Sequence, residues 1–209
     1  MPFEVRQYDF EIRTEERDGL GIISGRPVVY NSRTNLGDFD EIIMPGALDN
    51  ADLKDVRFLV NHNTKMIPLA RSRRNNGNST MTLAVTDQGL DLKEARIDIK
   101  NNATAAELYS AVKRGDISGM SFMFAIDGQE WENLESDHPL RRITAISKII
   151  EVSAVIFPAY EDTDINARSR AALESARAAL ENARQQTGGA VDTVIKELEL
   201  LKLRTRRLI

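Results

Sequence analysis

A two-residue alternation of apolar and polar side chains recurs along the first 160 residues, and it limits the chain to a body built mainly from sheet. Phe3, Val5, then Tyr8, Phe10 and Ile12 alternate with polar neighbours, with one slip of phase near Gln7 that fits a bulge. Gly19 to Tyr30 is a second β-like run, broken by Gly25 and Pro27. Asp55 to Val60 ends in the apolar triplet Phe58-Leu59-Val60 and delivers Asn61-His62-Asn63 at a strand end. Met81 to Val85 and Leu90 to Ile97 flank Thr86-Asp87-Gln88-Gly89, which reads as a hairpin with glycine where positive φ is needed. Two more strands follow, Ile117 to Ile126 and Ile143 to Phe157, and Pro158 stops the second because proline cannot continue a ladder.

One helix interrupts the strands. Asn102 or Asn101 supplies an N-cap, Ala105, Leu108, Tyr109 and Val112 make an apolar stripe, and Gly115 stands at the C′ position. The expected fold class is therefore α+β: a mainly antiparallel sandwich or barrel-like core with helices outside it.

Composition changes after Tyr160, which divides the chain into a body, residues 1–162, and a helical tail, 163–209. Residues 163–186 are rich in alanine, arginine and glutamate, with Leu173, Ala176, Leu180 and Ala183 on one weak helical stripe. Thr187-Gly188-Gly189 breaks it. Val191, Val194, Leu198, Leu201, Thr205 and Leu208 then follow steps of three and four residues, the spacing of a coiled-coil seam. The seam is shorter than three heptads, marginal by itself. Two uses stand side by side: packing on the protein's own body, or binding a partner, self-association through this helix included.

Charge and composition exclude several functions. The net charge of −4 gives no global electrostatic case for nucleic acid, and the basic end Lys202, Arg204, Arg206 and Arg207 has Glu197 and Glu199 beside it. No apolar run reaches 18 residues, so no membrane span is expected. The charged, alternating start of the chain does not read as a signal peptide. With no cysteine, disulfides, thiolate nucleophiles and cysteine metal sites are excluded, and with two histidines so is a multi-histidine centre. No cofactor and no metal are expected. An enzyme of this composition works with hydroxyls, carboxylates and at most one imidazole.

Three residues fit that description. In Ile117-Ser118-Gly119-Met120-Ser121-Phe122-Met123-Phe124, alternation puts Ser118, Met120, Phe122 and Phe124 on one face and Ser121 on the other. Gly119, two residues away on that second face, leaves open space, so Ser121 is expected to be an accessible hydroxyl. His62 follows an apolar strand and can serve as a fixed base, since a serine hydroxyl needs one to become a nucleophile. His138 lies in a polar turn before Pro139 and reads as a surface residue. Glu151 sits inside the apolar run Ile149 to Phe157, where an unpaired charge is costly, and a histidine N–H would partner it. Each residue also has an ordinary reading: a strand serine, a structural histidine, a carboxylate paired with arginine or facing solvent.

In order and spacing these segments resemble the prohead proteases of tailed bacteriophages, capsid-maturation serine peptidases of the HK97-like type. The resemblance rests on Glu41-Ile42-Ile43-Met44-Pro45-Gly46-Ala47-Leu48, Leu59-Val60-Asn61-His62-Asn63, Pro68-Leu69-Ala70, Gly115-Asp116-Ile117-Ser118-Gly119-Met120-Ser121-Phe122 and Ile150-Glu151-Val152-Ser153-Ala154-Val155, closed by Pro158-Ala159-Tyr160. It implies a core similar to that of herpesvirus assemblin, a β-barrel-like body wrapped by helices. It implies Ser121 as nucleophile, His62 as base and Glu151 as the acid that orients it. Three positions depart from the family pattern. Asn63 stands where aspartate is usual, which removes that position as the acid, and Met123 and Ala70 replace glycines.

The function so implied is a serine endopeptidase that cleaves scaffold or major capsid protein segments through an acyl-enzyme, inside the procapsid in the host cytoplasm. The basic pair Arg141-Arg142 is a candidate for oxyanion stabilisation, and surface solubility accounts for it equally well. The competing reading is a non-enzymatic procapsid component that binds scaffold or shell through its helical tail.

Overall fold

The computed structural model describes residues 3–8, 12–73, 76–156 and 170–185. The chain divides into two units, Met1–Arg168 and Ser169–Ile209.

Among the described residues of the first unit there are eleven strands and one helix: β1 (Glu4–Tyr8), β2 (Arg13–Arg17), β3 (Leu20–Val29), β4 (Arg33–Asn35), β5 (Asp40–Ile43), β6 (Arg57–Val60), β7 (Ala70–Arg71), β8 (Met81–Thr86), β9 (Gly89–Ile97), α1 (Ala103–Arg114), β10 (Gly119–Glu132) and β11 (Leu140–Val155). They make two sheets. One has four strands in the order β2-β3-β9-β8. The other has seven, along the path β1-β10-β11-β5-β4, with β6 on β11 and β7 on β6. Among the described residues neither sheet closes into a barrel; of the two expected arrangements, the two open sheets sharing one apolar core are nearer the sandwich. The α+β class stands.

Strand pairing among the described residues is mainly antiparallel, as expected, and the seven-stranded sheet also holds two parallel pairs. β11 runs parallel to β5 through Leu140–Ile143 and parallel to β6 through Glu151–Ala154. The cause is length. Sixteen residues at about 3.3 Å each make a strand of roughly 50 Å, and the edge away from β10 can accept two short partners one after the other. The second of them, β6, carries the Asn-His turn.

Local signals explain most of the remaining elements. β8 and β9 form the expected hairpin, with Thr86 opposite Gly89 and Gly89 at φ 141°. A side chain at Gly89 would collide with the Val28 carbonyl, so glycine is needed for the approach of β3 as well as for the turn. Asn102 caps α1 through Ala105 N–H, and Gly115 ends it at φ 82°. The run from Leu20 to Val29 is one strand, not two. Gly25 and Pro27 mark slips of register against β9 and do not break β3. The slip expected near Gln7 is absent, since β1 pairs with β10 in unbroken register from Glu4↔Phe124 to Tyr8↔Met120.

One apolar cluster draws on both sheets and on α1, including Ile23, Phe58, Leu92, Leu108, Phe122 and Ile149. Leu108 and Val112 of the α1 stripe are buried in it, which fixes the helix that the alternation of strands could not place. In the second unit residues 170–185 are helical, within the stretch the composition marked. The Gly188-Gly189 break and the seam from Val191 to Leu208 lie outside the described residues.

Candidate active site

The site begins where β6 ends. Asn61 N–H donates to the Ala154 carbonyl at 3.0 Å and prolongs the β6–β11 ladder by one residue. Asn61 then turns at φ 48° and His62 follows at φ 56°, both left-handed. Asparagine and histidine are among the residues that tolerate this region best. The Asn61 Oδ1 accepts from Ile156 N–H at 3.0 Å and ties the turn to the end of β11. Asn63 closes the turn, donating to Val60 O and accepting from Lys65 N–H.

The turn directs the imidazole across β11 to β10. His62 Nδ1 lies 2.5 Å from Glu151 Oε1, and His62 Nε2 lies 2.5 Å from Ser121 Oγ. Glu151 is 1% exposed and Ser121 is fully buried. The three residues singled out in the sequence, from three strands or strand ends, thus meet in one chain of contacts. A carboxylate can only accept, so Nδ1 carries the proton and Nε2 offers its lone pair to the serine hydroxyl. That arrangement lets the imidazole remove a proton from Ser121 while Glu151 stabilises the imidazolium that results.

Two features differ from the sequence reading. Alternation places Ser121 opposite the Phe122–Phe124 face, but the hydroxyl is not open to solvent. The His62 ring stands against it, and its proton also lies within reach of the Arg6 carbonyl on β1, 2.7 Å away. Both faces of β10 are covered from Gly119 to Phe122. The second concerns Arg141-Arg142. Arg142 pairs with Glu132, and Arg141 is buried in an ionic cluster with Glu4, Arg6 and Glu41, its Nε given to Gln129. The Arg141 guanidinium is fully taken up by these partners, and Arg142 gives its Nε to Glu132 Oε1 at 2.6 Å.

That cluster holds β1 in place beside Ser121. Arg6 makes a two-pronged contact with Glu41 at 2.5 and 2.7 Å, and Arg141 makes one with Glu4 at 2.8 and 2.8 Å. Two acids and two guanidinium groups balance in charge, which permits burial. Burial pushes the Glu4 carboxyl up, but the Arg141 and Arg6 guanidinium groups outweigh it and hold Glu4 below the usual carboxylate range. His138 contacts Asp40 at 2.9 Å and Asn35 at 3.2 Å, on a loop as expected. Burial pushes the Asp40 carboxyl up, and its bonds from His138 and Arg33 more than reverse that.

Sequence reasoning passed over Ser153. Its Oγ donates to Glu151 Oε2 at 2.5 Å and accepts from His62 N–H at 3.2 Å. The signal was available: Ser153 is two residues beyond Glu151, so the two share a strand face.

Comparison with known proteins places the chain in a family. The family described as caudovirus prohead serine protease matches residues 8–177. The prohead protease of Enterobacteria phage HK97 is 28% identical over 173 residues, which cover 80% of this chain and 70% of that protein. No solved structure matches.

Proposed function

Given that the chain belongs to the caudovirus prohead serine protease family, and so is a serine protease of phage capsid maturation, we propose that Ser121 is its nucleophile, His62 its general base and Glu151 the acid that orients His62. The observation that carries this assignment is the pair of 2.5 Å contacts on the two nitrogens of one imidazole, a carboxylate on Nδ1 and a hydroxyl on Nε2. A binding module has no need to line up a hydroxyl, an imidazole and a carboxylate in that order.

His62 takes the Ser121 proton as Oγ attacks the scissile carbonyl. The proton passes to the leaving amine, an acyl-enzyme remains, and water activated by the same imidazole releases it. The peptides cut are segments of scaffold or major capsid protein, within the prohead assembling in the host cytoplasm. An assemblin-like core belongs to this proposal only as what the family resemblance implies. Because Ser121 has no exposed surface, the reacting conformation must part the nucleophile from the Arg6 carbonyl of β1 while keeping it on His62 Nε2.

Incubation of the purified chain with its capsid protein or scaffold, followed by intact mass measurement, tests the proposal. Discrete fragments from the wild type and none from Ser121→Ala are expected. Fragments from Ser121→Ala would reassign the nucleophile.

A further inference from the structure

We propose that Ser153 is a positioning residue of this protease, its hydroxyl holding the Glu151 carboxylate and the His62 main chain in one fixed relation. The proposal rests on reading Ser121, His62 and Glu151 as the reacting set.

Ser153 is fully buried and lies on β11 directly across from Ser121 on β10 and Leu59 on β6. Cross-strand partners share a face, as do Glu151 and Ser153, so Ser121, Glu151 and Ser153 all point to the side on which the His62 ring lies. The Ser153 hydroxyl uses its proton on Glu151 Oε2 and a lone pair on His62 N–H. The first bond occupies the carboxylate oxygen that the imidazole does not use, so the carboxylate cannot turn about its own axis and Oε1 stays on Nδ1. The second anchors the backbone of a residue held at φ 56°, a conformation that needs outside support. His62 is thus fixed at both ends of the residue, its main chain by Ser153 directly and its ring by Ser153 through Glu151.

An alanine at this position removes both bonds and leaves His62 N–H and Glu151 Oε2 without them. The ring and the carboxylate then gain freedom to separate, and loss of alignment by about 1 Å costs up to about 100-fold in rate. Threonine keeps the hydroxyl, whereas cysteine keeps the size and supplies only a weak donor.

The test uses the full chain and two readouts. Proton NMR follows the Nδ1–H of His62, a downfield signal assigned by its loss in His62→Ala and its survival in His138→Ala. Fragment release from capsid protein or scaffold gives the rate. We expect Ser153→Ala and Ser153→Cys to lose or displace the downfield signal and to cleave about 10- to 100-fold more slowly. Ser153→Thr should keep the signal and stay within a few-fold of wild type. An unchanged signal in Ser153→Ala, or equal rates for the threonine and cysteine variants, overturns the proposal. If Ser153→Ala does not fold by circular dichroism, the threonine–cysteine pair decides alone. A wild-type chain without the signal removes the His62–Glu151 contact and this proposal with it. Undiminished cleavage by Ser121→Ala or His62→Ala would instead overturn the reading of the reacting set, whatever Ser153 does.

Discussion

Ser121 has one proton and two acceptors within reach, the Arg6 carbonyl at 2.7 Å and His62 Nε2 at 2.5 Å. Pointed at the carbonyl, the hydroxyl is parked; pointed at the imidazole, it is ready to react. Removal of either the hydroxyl or the ring should abolish cleavage, and Ser121→Ala/His62→Ala should be no worse than each alone, because members of such a unit are strongly non-additive. Ser118→Ala, at an exposed position, should leave turnover detectable in the same mass assay. Glu151→Gln keeps the shape and loses the charge. Its rate should fall clearly but by less than the roughly 10⁴-fold known for an amide in a well-studied triad, with the fold retained. The three residues were legible because each broke a local pattern: a serine opposite an aromatic face, a histidine after an apolar strand, a carboxylate inside an apolar run. What covers Ser121 was not legible. Alternation assigns a face, but the cover comes from a carbonyl 115 residues away.

At the scale of elements, the short strands obey long-range rules that their own sequences do not contain. β5 and β6 are four residues each, and nothing in four residues specifies a parallel neighbour. The length of β11 and the ionic cluster decide it. The cluster joins β1, β5, β10 and β11 through Glu4, Arg6, Glu41, Arg141 and Gln129, and it was invisible because its members are far apart in the chain. Removal of one member strands a buried charge. Arg141→Met should therefore lower unfolding stability by about 3–5 kcal/mol, while the paired change Glu4→Leu with Arg141→Met should cost less. Urea denaturation of the two variants against wild type checks this. The sign with pH follows from Glu4. Its folded value is depressed below 4.5, so its contribution is present above about pH 4.5 and is lost as pH falls through the folded value. The urea midpoint should drop between pH 4.5 and lower pH, and this drop should shrink in Glu4→Leu/Arg141→Met. A midpoint just as acid-sensitive in that variant would place the responsible carboxylate elsewhere, with Asp40 the next to test.

At the scale of the whole molecule, Ser121, His62, Glu151 and every member of the apolar cluster lie within Met1–Arg168. The remainder has a composition suited to a different task. A protease that works inside a closed shell must be carried there, and a helix with so short a seam would supply the means by folding on a partner. We expect truncation after Asn166 to leave a folded body that still cleaves, but to stop its incorporation into proheads. The family match complicates the choice of end point, because it runs on to residue 177, inside the helix at 170–185. A second truncation after Gln185 therefore separates the two parts of the tail. If the seam from Val191 to Leu208 is what the shell recognises, the longer piece should also fold, cleave and stay outside. If only the shorter piece is excluded, the helix at 170–185 is the element recognised. Thermal unfolding and cleavage of each purified piece, with complementation of a protease-deficient phage scored by prohead composition, give the readouts. Normal packaging of the shorter piece would end the idea that the tail delivers the enzyme. Failure of that piece to fold would end it in a different way, by making the tail part of the body's own core: the helix at 170–185 if the longer piece folds, the Val194–Leu198–Leu201 face if it does not.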